Sequence, residues 1–153
     1  HLEVDVPSYI KVVKAEDARE MGRSVLREKA DAYVLAAAVG DFEVGKRKGK
    51  ADSRKSLFIK LKPMPKIVDM VRRRFPHAKL VIFKAEVEGK LLEKAARRRM
   101  KETAAVLGVA NRVGRGRGFG DGRHKVMLLG KKWRKLVRGK KSKIADSILN
   151  ELF

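Results

Sequence analysis

The chain has no cysteine, which excludes a disulfide framework and any thiolate metal site. Its three histidines, His1, His77 and His124, are scattered. No His–carboxylate spacing marks a metal centre, and nothing suggests a nucleophilic triad, so no metal ligands are assigned. No apolar run approaches the roughly eighteen residues of a membrane-crossing helix, and no segment resembles a signal peptide. A soluble, cytoplasmic protein with no membrane partner is expected. Acidic residues are also few for the charge they must balance, with 18 Asp and Glu against 39 Lys and Arg, a formal net charge of +21. Such a surface repels its own kind and attracts polyanions, so nucleic acid or phosphorylated ligands are the natural partners. Abundant Lys and Arg without Cys also suits a thermophile.

What is present fits a folded unit. An apolar share of 44% is ordinary for a globular protein. A chain of 153 residues is long enough to bury about two-thirds of its unfolded surface as one domain, residues 1–153. Opening on His1 rather than methionine, it reads as a fragment or processed piece, the C-terminal part of a larger domain.

Periodicity gives an order of elements. Tyr9 to Val13 is a short β-rich run, and 15–29 has helical spacing with Met21, Val25 and Leu26 on one side. Residues 32–39 are apolar throughout, as in a strand covered on both faces. "LFIKL" (57–61) alternates like a strand, and Pro65 opens the helix "PKIVDMVRRRF". A strand follows at 79–83, a long basic helix at 88–102 and an apolar strand, "AAVLGVAN", at 104–111. Residues 124–129 and 133–137 form a hairpin around Gly130, and 142–152 a last helix with Ser142 as N-cap. The alternation predicts an α/β, Rossmann-like fold: a mainly parallel sheet with flanking helices and a C-terminal β-hairpin. Ligands of such sheets bind where the strands end, at the loops 39–53, 84–88 and 111–122.

Each of those regions has a functional and a plain reading. In "VGDFEVGKRKGKADS" (39–53), Asp41 can accept hydrogen bonds from a base or sugar and Lys50 can meet a phosphate, or the lysines merely face water. Pro65, Lys66, Ile67 and Val68 start a helix whose free N–H groups suit an anion, and the same letters serve as helix starter and core. Phe83 either stacks on a base or fills the core. Arg97 and Lys101, four apart on one helical face, either clamp a triphosphate or lie exposed. Between 112 and 143 there are thirteen basic residues and one acidic, Asp121. Within it "GRGRGFGDG" resembles RNA-binding arginine–glycine segments with Phe119 for stacking, and serves equally as a glycine-rich active-site loop. Its glycines recur at every second residue, unlike a dinucleotide fingerprint.

The ordered set "LAAAVGDF", "GKADS", "PMPKIVD", "VIFKAE", "AARRRMK", "VANRV", "GFGDGRHKVMLL" and "KSKIADSIL" resembles phosphopantothenate–cysteine ligase. This is the synthetase half of the bifunctional coenzyme A biosynthesis flavoprotein, particularly in its archaeal versions. The likeness runs from about Tyr9 to Leu152. It implies a Rossmann-like, usually dimeric enzyme that uses CTP (or ATP) and Mg²⁺ to join 4′-phosphopantothenate to cysteine through an acyl-cytidylate. Carried over, Ala37 lines the site of the intermediate, Asp41 faces the nucleotide base and Lys50 is the catalytic lysine. Pro65 to Val68 and Phe83 contact the nucleotide, and the family's paired helix lysines fall near Arg97 or Arg99 and Lys101. Departures are also visible. The family's Gly-rich, asparagine-bearing phosphate-binding start is expected before Tyr9 and is absent, "VAND" is here "VANRV", "FGSD" is "FGDG", and "KIK" is "KAD". The alternatives are a nucleic-acid-binding protein on the same fold, acting through 112–143, and an inactive relative.

Overall fold

The computed structural model of the chain describes residues 6–45, 49, 54, 56–87, 89–113 and 124–153. Lys50 and the glycine-rich stretch 114–123 lie outside the described residues.

Among the described residues, four helices and seven strands follow one another as α1 (Ala18–Arg27), β1 (Ala32–Leu35), β2 (Phe42–Val44), β3 (Leu61–Pro63), α2 (Ile67–Arg74), β4 (Lys79–Glu86), α3 (Gly89–Thr103), β5 (Leu107–Arg112), β6 (His124–Leu129), β7 (Arg134–Gly139) and α4 (Lys141–Leu152). Five strands form one sheet in the order β1-β4-β5-β6-β7. β1, β4 and β5 are parallel, while β6 and β7 pair antiparallel to complete the expected hairpin around Gly130. The Rossmann-like expectation therefore holds.

Alternation along the central strands decides which helix covers which face. In β4, Val81 points into a cluster with Val109, Leu128 and the α4 residues Ile144, Ile148 and Leu152. Its neighbour Ile82 points the other way, to Leu92, Ala96 and Met100 of α3. Leu80 packs with Tyr33 and with Val71 of α2. On β5, Gly108 lets α3 come close, because a Cβ there would stand 2.7 Å from Met100 Sδ. α2 and α3, which cover the same face of the sheet, are tied together by Arg72, whose guanidinium donates to the carbonyls of Thr103 (2.8 Å) and Ala104 (3.0 Å) at the end of α3.

Four expectations need correction. Tyr9 to Val13 form no strand; Tyr9 is 86% exposed, and no strand pairs with the segment among the described residues. The strand expected over 32–39 ends at Leu35, and Ala36 to Ala38 are exposed. β1 lies at an edge of the described sheet, and Val34 is 44% exposed rather than covered. "LFIKL" contributes only its final leucine to a strand, and β3 pairs with β2 in a separate two-stranded sheet. Ser142 does not cap α4: Lys140 holds the N-cap position, without a side-chain hydrogen bond.

The hairpin turn carries a sensitive contact. A Cβ on Gly130 would sit 2.2 Å from Trp133 Cε2 and Nε1. Gly130→Ala must therefore displace the ring, and overpacking of this kind costs about 1–3 kcal/mol. Trp133 is the only tryptophan, so its emission should shift to the red as the denaturation midpoint falls. An unshifted spectrum at unchanged stability would contradict this packing.

Candidate active site

β1 stops pairing with β4 at Leu35 and Ile82, while β4 continues beside β5 as far as Glu86. Where β1 leaves, Phe83 and Lys84 lose their neighbour on that side and a cleft opens. It lies at the carboxyl end of β1, where α/β sheets receive ligands. The cleft holds about 440 Å³ and is walled by Ala37 and Val39 after β1, Phe83 and Lys84 of β4, Lys66 to Val68 at the start of α2, and Arg98, Arg99 and Glu102 of α3. Phe83 is 36% exposed, so its ring faces the cleft rather than filling the core.

The start of α2 is set by the small sheet next to it. Met64 N–H donates to the Asp41 carbonyl (2.9 Å), extending the β2–β3 ladder by one bond. The chain therefore stays extended through Lys66 (φ −72°, ψ 126°), and the helix begins at Ile67. Pro65, expected in the first helical turn, instead precedes the N-cap and does not line the cleft. Lys66 makes no side-chain capping bond. The N–H groups of Ile67 and Val68 thus open a helix with no acceptor of their own, the local condition for holding an anion.

Charge in the cleft is mixed but weighted to the positive: Lys66, Lys84, Arg98 and Arg99 face Asp41 and Glu102. Asp41 is ion-paired with Lys66 across the mouth. The Lys66 hydrogen bond, and then its charge, hold the Asp41 carboxyl below the usual carboxylate range. Arg99 bonds Asp69 (2.8 Å) and Glu102 (3.2 Å), and Lys84 bonds Glu86 (2.8 Å). Burial alone would lower the Arg99 pKa, but the bonds to Asp69 and Glu102 outweigh it and keep the guanidinium charged. Ground-state pairing of this kind stores cations at the site until a stronger anion competes for them.

These carboxylates do not amount to a Mg²⁺ site. Asp41 and Glu102 are both committed to cations, and no cluster of three or more metal-ligating side chains occurs among the described residues. A Mg²⁺ arriving with a nucleotide would rest on its phosphates and water; no step is assigned to it here.

Of the residues singled out from the sequence, the cleft gathers Ala37, Asp41, Lys66, Ile67, Val68 and Phe83. Arg97 and Lys101 are not among them. Arg97 binds Glu93 (2.9 Å) and the carbonyls of Gly130 (3.1 Å) and Trp133 (3.4 Å), pinning the β6–β7 turn. Lys101 lines a different cleft with Arg97 and Lys131. Sequence reasoning passed over Lys84, Arg98 and Glu102. A signal was available: Leu92, Ala96 and Met100 are the buried line of α3. At about 100° per residue, that line puts 97 and 101 on one flank and 95, 98, 99 and 102 on the other. Which flank meets the cleft depends on α2 lying beside it, and no local pattern tells that.

Glu93, bonded by Arg97 and by Arg134 (2.8 Å), is held below the ordinary glutamate value of 4.5, chiefly by the Arg97 bond and then by that from Arg134. A depressed folded-state pKa stabilises above the unfolded value, and the contribution disappears as pH falls through the folded one. Urea midpoints should therefore drop from roughly pH 5 to pH 3 by more in the native chain than in Glu93→Gln. Parallel profiles would remove Glu93 from the acid sensitivity.

A family model described as "DNA/pantothenate metabolism flavoprotein C-terminal domain" matches residues 1–153. The chain is 36% identical over 160 residues to the coenzyme A biosynthesis bifunctional protein CoaBC of Thermococcus kodakarensis, covering 96% of this chain and 38% of that protein. Among solved structures, a DNA/pantothenate metabolism flavoprotein from Streptococcus pneumoniae superposes with TM-score 0.74 at 18% identity, over 89% of this chain and 69% of the other. The C-terminal domain of a coenzyme A biosynthesis bifunctional protein CoaBC gives TM-score 0.72 at 21% identity, over 98% of this chain and 68% of that one. The chain spans little more than a third of the curated relative's length, and the two superpositions speak for the fold.

Proposed function

The chain belongs to the DNA/pantothenate metabolism flavoprotein C-terminal domain family, and from that premise we propose that residues 1–153 act as one cytoplasmic ligase domain. In this reading it binds CTP, or ATP, and takes part in joining 4′-phosphopantothenate to cysteine. A carboxylate oxygen of phosphopantothenate bonds to the α-phosphorus, the bond to the β-phosphate bridge breaks and pyrophosphate leaves. The cysteine amine then bonds to the acyl carbon, CMP leaves with the former carboxylate oxygen, and the amine gives up a proton.

The residues of the cleft have work in both steps. Phe83 offers an exposed ring to the base or ribose, and Asp41 offers an acceptor once Lys66 turns to phosphate. The first turn of α2, with Lys66, Lys84, Arg98 and Arg99, supplies positive potential where charge builds on the leaving pyrophosphate. Lys50 carries the role the resemblance gives it, stabilising the acyl-cytidylate step. Ala37, small and beside the cleft, leaves room for the acyl group.

The observation that carries this reading is the convergence of Ala37, Asp41, Lys66, Val68 and Phe83 on one cleft at the end of β1. Calorimetric titration with CTP and with ATP tests it. Saturable heat that is lost in Phe83→Asp supports the site, and no heat with either nucleotide overturns it.

A homodimer is part of the same proposal. The arm around β2 and β3 exposes Phe42 (57%), Phe58 (96%) and Ile59 (57%), an apolar surface suited to a second copy of itself. Sedimentation should show Phe58→Asp shifted toward monomer; an unchanged mass distribution would place any dimer contact elsewhere.

A further inference from the structure

The nucleotide cleft occupies one end of the sheet. The other end, where β1, β4 and β5 begin, carries a separate concentration of charge. Because β6 runs antiparallel to β5, with Leu129 opposite Gly108, the turn after β6 returns to this same end. Two open clefts lie there, each of about 680 Å³. One, at the starts of β1 and β4, is lined by Arg27, Lys29, Arg74, His77 and Lys79 with the single carboxylate Asp31. The second, at the start of β5, has Arg97, Lys101 and Lys131 and no acid.

Arg27, Lys29, Lys101 and Lys131 are exposed, and their side chains make no ion pair or hydrogen bond among the described residues. Two nearby acids are engaged elsewhere, Glu28 with Lys11 and Glu151 with Lys135, which leaves Asp31 as the one carboxylate lining either cleft. The surface ion-pair networks of heat-stable proteins need both signs in contact, and this rim has cations without partners. Like charges held together without counter-charge repel one another, and a bound polyanion relieves that cost. Adjacent strands stand about 4.8 Å apart, so clefts under β1–β4 and β5 are neighbours along one edge. A continuous phosphodiester backbone can cross both. Neither cleft is lined by Asn or Gln to read base edges. Phe75, in the first, is stacked on Tyr33 (5.3 Å) beneath the Arg74 guanidinium (5.6 Å), which leaves no free ring for a base.

We propose that this amino-end rim is a sequence-independent docking surface for the phosphodiester backbone of nucleic acid. It also divides the basic segment 112–143: Lys131 and Lys132 sit at this end, whereas Lys125, Arg138, Lys140 and Lys141 lie at the opposite end of the hairpin.

Fluorescence anisotropy of the full chain with a random-sequence RNA duplex and its DNA counterpart, over a range of salt, tests this. The logarithm of affinity should fall linearly with that of salt, by about 0.9 per phosphate neutralised for DNA. Combining Arg27→Gln, Lys29→Gln, Lys101→Gln and Lys131→Gln should make that slope shallower by about 3 to 4 and weaken binding more than about tenfold at low salt. The same charge removed at the far end, by Lys125→Gln, Arg138→Gln, Lys140→Gln and Lys141→Gln, should leave the slope closer to native. Saturating CTP should not displace the duplex, which separates this surface from the nucleotide cleft. Equal losses in the two variants, an unchanged slope in the first, displacement by CTP, or tighter binding to phosphatidylserine vesicles than to either duplex would each overturn the proposal. Preference between RNA and DNA assigns the source of the phosphates and supports the surface in either case.

Discussion

Lys50→Ala is expected to lower turnover of the full-length protein about 100- to 1000-fold, the usual consequence of removing one preorganised charge from a developing anion. The effect should fall on the chemical step. A lysine that meets charge chiefly in the transition state contributes little to ground-state affinity, so CTP should still bind within a few-fold of the native constant. Single-turnover measurement of pyrophosphate release separates the two. Slow release with near-native binding is the expected result. A parallel loss of binding and rate would make Lys50 an ordinary phosphate anchor, and native turnover would remove it from the mechanism.

Arg99→Gln is expected to weaken CTP binding about 10- to 100-fold, from the 1.5–3 kcal/mol typical of a charge-assisted hydrogen bond and 1.4 kcal/mol per factor of ten. CMP, which lacks the two outer phosphates, should lose much less. The basis is positional: Arg99 lines the cleft, and its present partners Asp69 and Glu102 can yield it to a phosphate. Arg97→Gln is the matched control, one helical position either side of Arg98 yet on the opposite flank of α3. It should cost about 1–2 kcal/mol of stability through the lost bonds to Gly130 and Trp133, with CTP affinity near native. Should Arg97→Gln weaken CTP as much as Arg99→Gln, the placement of α3 against the cleft is wrong.

That pair of arginines shows what the sequence made legible and where it stopped. The helix itself, from about 88 to 102, was visible in its periodicity, as were the hairpin around Gly130 and the apolar strands expected at 79–83 and 104–111, which the structure places at 79–86 and 107–112. Asp41 and Lys66 could be nominated because they stand just before a strand and a helix, positions fixed by chain order, and Phe83 because it closes the strand expected over 79–83, although β4 runs on to Glu86. The extent of β1 was not legible, since apolar letters from 32 to 39 say nothing about a partner strand. With β4 following β5 beyond Ile82, β1 has nothing left to pair with, and Ala36 to Ala38 leave the sheet. Nor was the offset of α2 legible. Proline favours a helix start, but the Met64–Asp41 bond keeps the chain extended for two residues more.

Unaided, the sequence determined the cysteine-free chemistry, the large positive charge, the succession of strands and helices, and which line of each helix is buried. These follow from residue type and from spacing along one chain. The tertiary structure alone decided that β1 parts from β4 to open a cleft, that Arg98 and Arg99 rather than Arg97 and Lys101 border it, and that the remaining cations collect at the far rim. Each of those outcomes depends on which element lies next to another across the fold, and a period of 3.6 or 2 residues records the face an element buries without recording what covers it.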